Sequence, residues 1–429
     1  MLRSGGLPPA CHRATQLLGR ASALRSIVKI CNFDLIYTNV SSYFSMSTPS
    51  HVDITNVLVA ASSKEKVSGF THDFYNYPAR FSPLLAREII KSFTKPGDLI
   101  LDPFMGGGTS LVEAKLLSRN AIGFDISSLA YFLASVKLNP LPKKKFVLFR
   151  SIIVELVSKL NCHKKVKRPH EWITKGYQRN LSTKTTWPIR KLSEQFLSHL
   201  DSYNIKNSEK DYLRCVLLKT AQWAIDSKKV IPSSRSFKSK LIENFEKMLL
   251  GTSEFWDAGP DTTVIAINKP ANEIHLHPEL FISPPRLVVT SPPYPGIHVV
   301  YHRWQVFGKK ETPAPFWIAN SQDGHGLTHY TMGDRKQKHL RNYFESIRDS
   351  FSSISKVCDK KTLVVQVLAF SNIKWQLPKY LETMEQAGFV EVTPNKDRIW
   401  REVPNRKWYA QQKGKTSSSQ EVILFHKLA

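Results

Sequence analysis

The sequence contains few acidic residues, and this deficit leaves it strongly basic. Its 429 residues include 35 Asp and Glu against 61 Lys and Arg, which gives a formal net charge of +26. An excess of this size favours a polyanionic partner, because cationic side chains contact phosphates and release the counterions around them. The alternative is a basic surface that serves no such partner.

Cysteine is also scarce, and long apolar runs are missing. The five cysteines form no CxxC pair, which argues against a disulfide framework and a zinc site, so we expect no metal. No apolar run approaches the roughly 18 residues that cross a bilayer, so we expect no membrane association. The composition therefore predicts a soluble, intracellular protein, and 41% apolar residues can fill a sizeable core.

The first 45 residues form a segment of unusual composition. They carry five basic residues, several serines and the single acid Asp34, which is typical of a transit peptide. Met46 follows directly and resembles an ordinary start, so a wrongly assigned upstream start is the alternative. We expect residues 1–45 to be a disordered or targeting leader. A genuine leader would make the protein organellar, whereas a bacterial protein would be cytoplasmic, at the nucleoid.

A glycine-rich loop follows the first clear strand pattern. Residues 99–101 form a short apolar strand, residues 102–108 the loop, and residues 110–117 a helix pattern. A second strand, residues 121–125, ends in the acid Asp125. This order is the opening of a nucleotide-binding α/β fold, in which glycines let backbone N–H groups approach the ligand and the acid accepts ribose hydroxyls. A turn that only reverses the chain is the alternative.

A second loop follows the apolar strand of residues 287–289. It reads Thr290-Ser291-Pro292-Pro293-Tyr294. A serine hydroxyl and the carbonyl of the following proline can each accept an N–H of an exocyclic amine, two prolines fix the backbone, and tyrosine can stack on a planar base. An ordinary polyproline turn is the alternative. Another Ser-Pro-Pro sequence, residues 283–285, precedes the strand and lacks the aromatic residue.

Together the two loops resemble the S-adenosylmethionine-dependent amino-methyltransferases of DNA, of the kind found in restriction-modification systems. The Ser-Pro-Pro-Tyr form resembles the cytosine-N4 group. The resemblance implies an α/β, class I (Rossmann-like) methyltransferase fold with about seven strands, S-adenosylmethionine as cofactor, and direct methyl transfer to a base flipped out of DNA. Cytosine-5 chemistry is disfavoured, because no cysteine stands in a Pro-Cys context in the α/β body.

The resemblance also assigns residues to the two halves of the reaction. Asp102 is expected to meet the methionine end of the cofactor and Asp125 its ribose, while the segment around Tyr77 closes over the methionine. The implied cofactor-binding residues are Tyr77, Pro78, Ala79, Asp102, Pro103, Phe104, Gly106, Gly108, Thr109 and Asp125. The implied catalytic residues are Ser291, Pro292, Pro293 and Tyr294.

Basic charge is concentrated between the two loops. Residues 141–250 hold 24 Lys and Arg against 9 Asp and Glu, or +15 of the total +26. We therefore expect residues 46–142 to form the cofactor half of the methyltransferase domain, residues 143–255 a basic helical insertion that recognises DNA, and residues 256–429 the catalytic half. A solvated helical cap without a ligand is the alternative for the insertion, whose clearest basic loop is residues 164–168.

Three other functions use the same residues. An adenine-N6 methyltransferase of DNA has closely similar loops, an RNA amino-methyltransferase would use both of them, and an inactive homologue would only bind nucleic acid. The intact acids and the serine argue against the last. Arg303 and Trp304, together with residues 398–409, are expected either to contact the flipped nucleotide or to serve packing.

Overall fold

The computed structural model describes most of the chain after residue 53. The described residues are 54–63, 65, 68–77, 80–164, 170–259, 262–295, 303–323, 330, 332, 338–394, 397–404 and 418–429. The predicted leader, residues 1–45, lies outside them, as do Pro78 and Ala79. The chain from residue 51 onwards forms one compact unit.

The described strands form a mixed sheet of eight and a separate hairpin. They are β1 (Leu99–Asp102), β2 (Asn120–Phe124), β3 (Val264–Ile267), β4 (Leu287–Thr290), β5 (Trp304–Val306), β6 (Lys310–Thr312), β7 (Leu363–Leu368), β8 (Phe389–Glu391), β9 (Ile399–Pro404) and β10 (Ser418–Leu428). β5 and β6 form the hairpin.

The sheet has the order β3-β2-β1-β4-β7-β10-β8, and β9 also pairs with β10. The first five strands in this order are parallel to one another, whereas β10 runs antiparallel to β7, β8 and β9. This is the class I methyltransferase sheet that the resemblance implied. The order reverses between β1 and β4, and ligands of open α/β sheets bind at such a point, beside the carboxyl ends of the strands.

Helices cover both faces of the sheet and build a third layer beside it. They are α1 (Thr55–Ser62), α2 (Pro83–Phe93), α3 (Thr109–Leu116), α4 (Ser128–Leu138), α5 (Phe146–Lys159), α6 (His170–Thr174), α7 (Trp187–Asp201), α8 (Asn207–Ile225), α9 (Ser234–Ala258), α10 (Ala314–Ile318), α11 (Arg341–Ser355) and α12 (Ile373–Gln386). α2 illustrates how the sequence sets such an element: the Ser82 hydroxyl accepts from the Leu85 amide, Pro83 starts the helix, and Ile89 and Ile90 are buried.

Successive side chains along each strand point to opposite faces of the sheet, and each face has its own hydrophobic core. Ile100 of β1 packs with α1 and α2 on one face, whereas Leu101 packs with α11 and α12 on the other. Since both faces are buried, the central strands are apolar throughout, and β4 is buried at every position.

The insertion forms a third core. α5, α7, α8 and α9 pack against α4 and against segments far away in sequence, including Phe74, Trp304 and Phe316. α5, α7 and α8 lie within residues 143–255, the segment expected to be helical. The insertion thus shares its core with α4 and with residues that lie far away in the sequence.

Candidate active site

A cavity of about 300 Å³ opens at the carboxyl ends of β1, β2 and β4, which is the lower end of the range for small-ligand pockets. The glycine-rich loop and the Ser-Pro-Pro-Tyr loop both reach this cavity. Its walls include Tyr77, Asp102, Gly106, Asp125, Ser291 and Tyr294. Parallel strands end at one edge of the sheet, so residues nearly 200 positions apart in the chain meet here.

Most of the predicted site residues line this cavity. They are Tyr77, Asp102, Pro103, Phe104, Gly106, Thr109, Asp125, Ser291, Pro293 and Tyr294. Gly108 and Pro292 do not line it. Gly108 has φ +76°, and a Cβ there would lie 2.9 Å from the Cβ of Ala134, so this glycine serves the close packing of α3 on α4.

Asp102 joins three elements from a buried position. Its Oδ1 accepts from the Thr290 hydroxyl at 2.7 Å and from the Phe104 amide at 3.1 Å, and its Oδ2 accepts from the Ser110 hydroxyl. The carboxylate therefore ties β1 to β4 and to α3. Burial raises the pKa of Asp102 to about 6, against the opposing effect of these hydrogen bonds.

Asp125 holds the glycine loop in place from the end of β2. Its Oδ2 accepts from the Gly106 amide at 2.9 Å and its Oδ1 from the Ser127 amide at 2.8 Å. Burial raises its pKa to about 6, and the nearby charge of Asp102 adds to this rise. Two carboxylates thus border one cavity.

The glycine loop has neighbours on both sides. A Cβ on Gly106 would lie 3.2 Å from the Tyr77 ring, and one on Gly107 would meet both Tyr77 and the Lys137 ammonium. The buried Lys137 donates from Nζ to the Gly107 carbonyl at 2.8 Å. Its burial, reinforced by the charge of Arg80, lowers its pKa to about 7.

The segment before Tyr77 is fixed to α3. His72 is buried, and its Nε2 lies 2.7 Å from Oε1 of Glu113, which is also buried. Glu113 Oε2 accepts from Arg87 Nε of α2 at 2.6 Å. Burial lowers the pKa of His72 despite this carboxylate. His72 does not line the cavity, and its contact with Glu113 anchors the segment that leads to Tyr77.

The Ser-Pro-Pro-Tyr loop is held by hydrogen bonds from two directions. Ser291 Oγ lies 3.0 Å from the Tyr294 hydroxyl, and that hydroxyl donates to Oε1 of Glu421 at 2.7 Å. Tyr343 of α11 donates to the Pro293 carbonyl at 2.8 Å. The tyrosine ring is 6% exposed, so the loop presents its serine from a fixed frame.

Sequence reasoning missed several residues of the cavity. Ile126, Pro270, Ala271 and Asn272 extend the walls beyond the ends of β2 and β3. Ile126 follows the predicted strand of residues 121–125, and this position was a usable signal because all parallel strands end at this edge. Glu421 gave no such signal, since it stands on the antiparallel strand β10.

Trp304 and Arg303 serve packing, which was one of the two alternatives. Trp304 is 1% exposed and donates from Nε1 to the Tyr75 hydroxyl at 2.9 Å. Arg303 pairs with Asp323 at 2.6 Å. Neither side chain is presented to a nucleotide in this arrangement. Of the second aromatic cluster, residues 405–409 lie outside the described part, and Trp400 is 42% exposed.

Residues 29–134 match the family model described as DNA methylase. The match begins within the segment predicted as a leader. The chain is 32% identical over 165 residues to the type II methyltransferase M.MjaII of Methanocaldococcus jannaschii, covering 37% of this chain and 30% of that protein. It is 41% identical over 78 residues to the type II methyltransferase M1.MboII of Moraxella bovis, covering 18% of this chain and 30% of that protein.

The chain thus spans about 30% of the length of these two relatives. Among solved structures, the rRNA methyltransferase aviRa of Streptomyces viridochromogenes is 10% identical, covers 88% of this chain and 94% of its own, and has a TM-score of 0.32. That score is too low to carry weight, and the fold rests on the strand order described above.

The sequence matches confirm the resemblance to the DNA amino-methyltransferases, a class that includes both N6 and N4 enzymes. S-adenosylmethionine is the cofactor of this class, which confirms the cofactor prediction. Within the described residues, no group of three or more His, Cys, Asp or Glu could hold a metal ion. No helix of the described part is long and apolar enough to span a membrane.

Proposed function

We propose that this protein transfers a methyl group from S-adenosylmethionine to an exocyclic amine of a DNA base, with cytosine N4 as the target. One observation carries the proposal. Asp102 is the last residue of β1 and precedes the glycine-rich loop. It accepts a hydrogen bond from Thr290, the residue directly before Ser291. The cofactor loop and the amine-binding loop therefore share one cavity, as in-line transfer from one ligand to another requires.

The residues present fit the cofactor. Each oxygen of Asp125 uses one lone pair for a backbone amide and retains acceptor capacity for a ribose hydroxyl. Asp102 supplies negative charge for the ammonium of the methionine end. Residues 270–272 border the far end of the cavity and suit the adenine ring. When bound, S-adenosylmethionine supplies an electrophilic methyl on its sulfonium.

The protein's part in transfer is to orient the amine. An amine conjugated to a pyrimidine ring is a poor nucleophile, so its lone pair must be localised before it can attack. Ser291 lines the cavity, and its Oγ is assigned to accept one N–H. The Pro292 carbonyl, expected from the sequence to accept the other, does not line the cavity in this structure. Serine at the first position of this loop favours cytosine N4 through the family resemblance. Adenine N6 is the second candidate, because the matched family includes it.

The target is tested by the product. The purified protein is incubated with S-adenosylmethionine and unmethylated genomic DNA, and the DNA is digested to nucleosides for mass spectrometry. N4-methylcytosine supports the proposal, whereas N6-methyladenine retains the class of enzyme and replaces its target. Methylation of RNA in place of DNA would overturn the choice of polymer.

One end of the insertion carries exposed cations that have no salt-bridge partner among the described residues. α5 and α8 each run antiparallel to α9, so each end of the bundle collects termini of all three. At the end away from the cavity, Lys143 pairs with Asp257 and Lys145 with Glu209. At the other end, Lys164, Lys229 and Arg235 are exposed and form no salt bridge within the described residues. These three residues are called the basic end.

The basic end lies on the cavity side of the protein. Gln222, near the end of α8, exchanges two hydrogen bonds with the backbone of Asn76, next to Tyr77 of the cavity wall. Ser234, at the start of α9, donates to Cys162 at 3.7 Å, close to Lys164. Cations without a salt-bridge partner on this side of the protein are suited to the phosphates that flank a flipped base.

Reversing the basic end is expected to weaken DNA binding and its salt dependence. In a triple variant with Lys164→Glu, Lys229→Glu and Arg235→Glu, the slope of log affinity against log salt should fall by about 3, since each lost phosphate contact removes about one unit. Fluorescence anisotropy over a salt series measures this slope. The matched control reverses Lys356, Lys360 and Lys361, which are exposed before β7 at the opposite edge of the sheet. Equal slopes in the two variants would make the insertion a solvated cap.

Cofactor binding is expected to weaken in acid. Asp102 and Asp125 have pKa values near 6 and must be ionised to bind the ammonium and the ribose, so between pH 7.5 and pH 5 affinity should fall by about tenfold for each group. Calorimetric titration across this range measures it, and constant affinity would remove both acids from the site. The unliganded fold has the opposite trend, because groups whose pKa is raised by folding add stability at low pH and lose it as the pH rises through 6. Thermal melts therefore separate lost binding from unfolding.

A further inference from the structure

A row of hydrogen bonds leads from the Ser-Pro-Pro-Tyr loop into the sheet. Ser291 Oγ lies 3.0 Å from the Tyr294 hydroxyl, which donates to Glu421 at 2.7 Å. Glu421 is 4% exposed. Its other oxygen lies 3.4 Å from Nε of Arg401, the residue directly opposite on β9. The row thus ends in a buried ion pair in the sheet.

The direction of these bonds follows from counting protons. A tyrosine hydroxyl has one proton, and Tyr294 gives it to the Glu421 carboxylate, which can only accept. The contact between Ser291 and Tyr294 must then be donated by the serine. With its only proton directed towards Tyr294, the serine oxygen can face the cavity only as an acceptor.

Acceptor is the role that the reaction demands of Ser291. If the serine pointed its proton into the cavity, it would compete with the N–H of the target amine and would draw on the lone pair that must attack. We propose that Glu421 is a positioning residue, which acts through Tyr294 to keep the Ser291 hydroxyl an acceptor for the amine. This inference rests on the proposed function of the site.

The burial of Glu421 supports a purpose beyond holding the tyrosine. A buried carboxylate is costly to desolvate, and Arg401 offsets only part of that cost. A neutral acceptor such as glutamine could also hold the ring, although it would leave Arg401 unpaired. An amide, however, can present either its oxygen or its NH₂ group to Tyr294, so it does not fix the direction of the row. A carboxylate does.

A double-mutant cycle tests the inference. Glu421→Gln should lower kcat by about tenfold or more, with the KM for DNA and the Kd for S-adenosylmethionine within about twofold of wild type. Because Glu421 acts through the serine, the double variant Glu421→Gln, Ser291→Ala should be no slower than Ser291→Ala alone. Additive losses, or an unchanged kcat in Glu421→Gln, would overturn the inference.

The controls separate this result from damage to the fold. Glu391→Gln removes a carboxylate on β8 that pairs with Arg398 and makes no contact with the loop, so its kcat should equal that of wild type. If Glu421→Gln fails to bind cofactor, Tyr294→Phe replaces it in the test, because it removes the hydroxyl that joins Ser291 to Glu421. The double-mutant cycle is then measured with Tyr294→Phe and Ser291→Ala. A wild-type protein that methylates no DNA would instead refute the proposed function.

Discussion

Replacing Gly106 by valine is expected to abolish binding of S-adenosylmethionine. Gly106 has φ +49°, and a Cβ there would lie 3.2 Å from the Tyr77 ring, so a branched side chain must displace either the glycine loop or Tyr77. The Gly106 amide would also leave Asp125, its present acceptor. Affinity should fall by at least about a hundredfold, the cost of two or more lost contacts, as measured by calorimetry.

Gly97→Val is the matched control. Gly97 also has a positive φ, +87°, but a Cβ there would meet nothing within 4 Å. Both variants carry a β-branched residue in a left-handed conformation and should lose similar thermal stability. Only Gly106→Val should lose the cofactor, and retained binding in that variant would place the cofactor elsewhere.

Ser291→Ala is expected to leave cofactor binding nearly unchanged while slowing methyl transfer. The serine is assigned to the target amine, and an acceptor that acts mainly in the transition state is worth on the order of a hundredfold in rate. Single-turnover assays measure the rate, and calorimetry measures the cofactor. Full turnover in this variant would remove Ser291 from the mechanism.

The chain supplies its own control for this substitution. Ser283 begins the other Ser-Pro-Pro sequence and is exposed before β4, at the opposite edge of the sheet from the cavity. Ser283→Ala should therefore methylate at the wild-type rate. A shared loss in the two variants would indicate a general effect on stability, which a thermal melt detects.

Local patterns predicted the central sheet well, because its strands are short, apolar and bounded by turns. β1, β2 and β4 each lie within one or two residues of the expected position. β9 was not foreseen as a strand, since its two apolar residues, Ile399 and Trp400, are followed by two charged ones, so it lacks the alternation that marks a half-buried strand. The sequence also did not predict that the insertion and Trp304 share one core. Packing between segments that are distant in the chain produces no periodic pattern in the sequence.

Some residues of the candidate site were likewise predicted from the sequence, whereas others could be found only in the structure. Sequence motifs identified Asp102 and Ser291 because their residue types and spacing imply chemistry without knowledge of the fold. They did not show that Asp102 is bound to Thr290 and Ser110, which makes alanine at position 102 a threat to the fold as well as to the cofactor. Glu421 was out of reach, since only the register of β10 brings it to Tyr294.

The shared core of the insertion affects how the chain can be made. α5, α7, α8 and α9 bury apolar side chains against Trp304 and Phe316, residues that leave the ribosome well after the helices themselves. Until then the nascent insertion displays an unfilled apolar surface, open to chaperones and to aggregation. The same packing makes the insertion difficult to exchange for a foreign segment, because the replacement would have to fit the surface that Trp304 and Phe316 contribute.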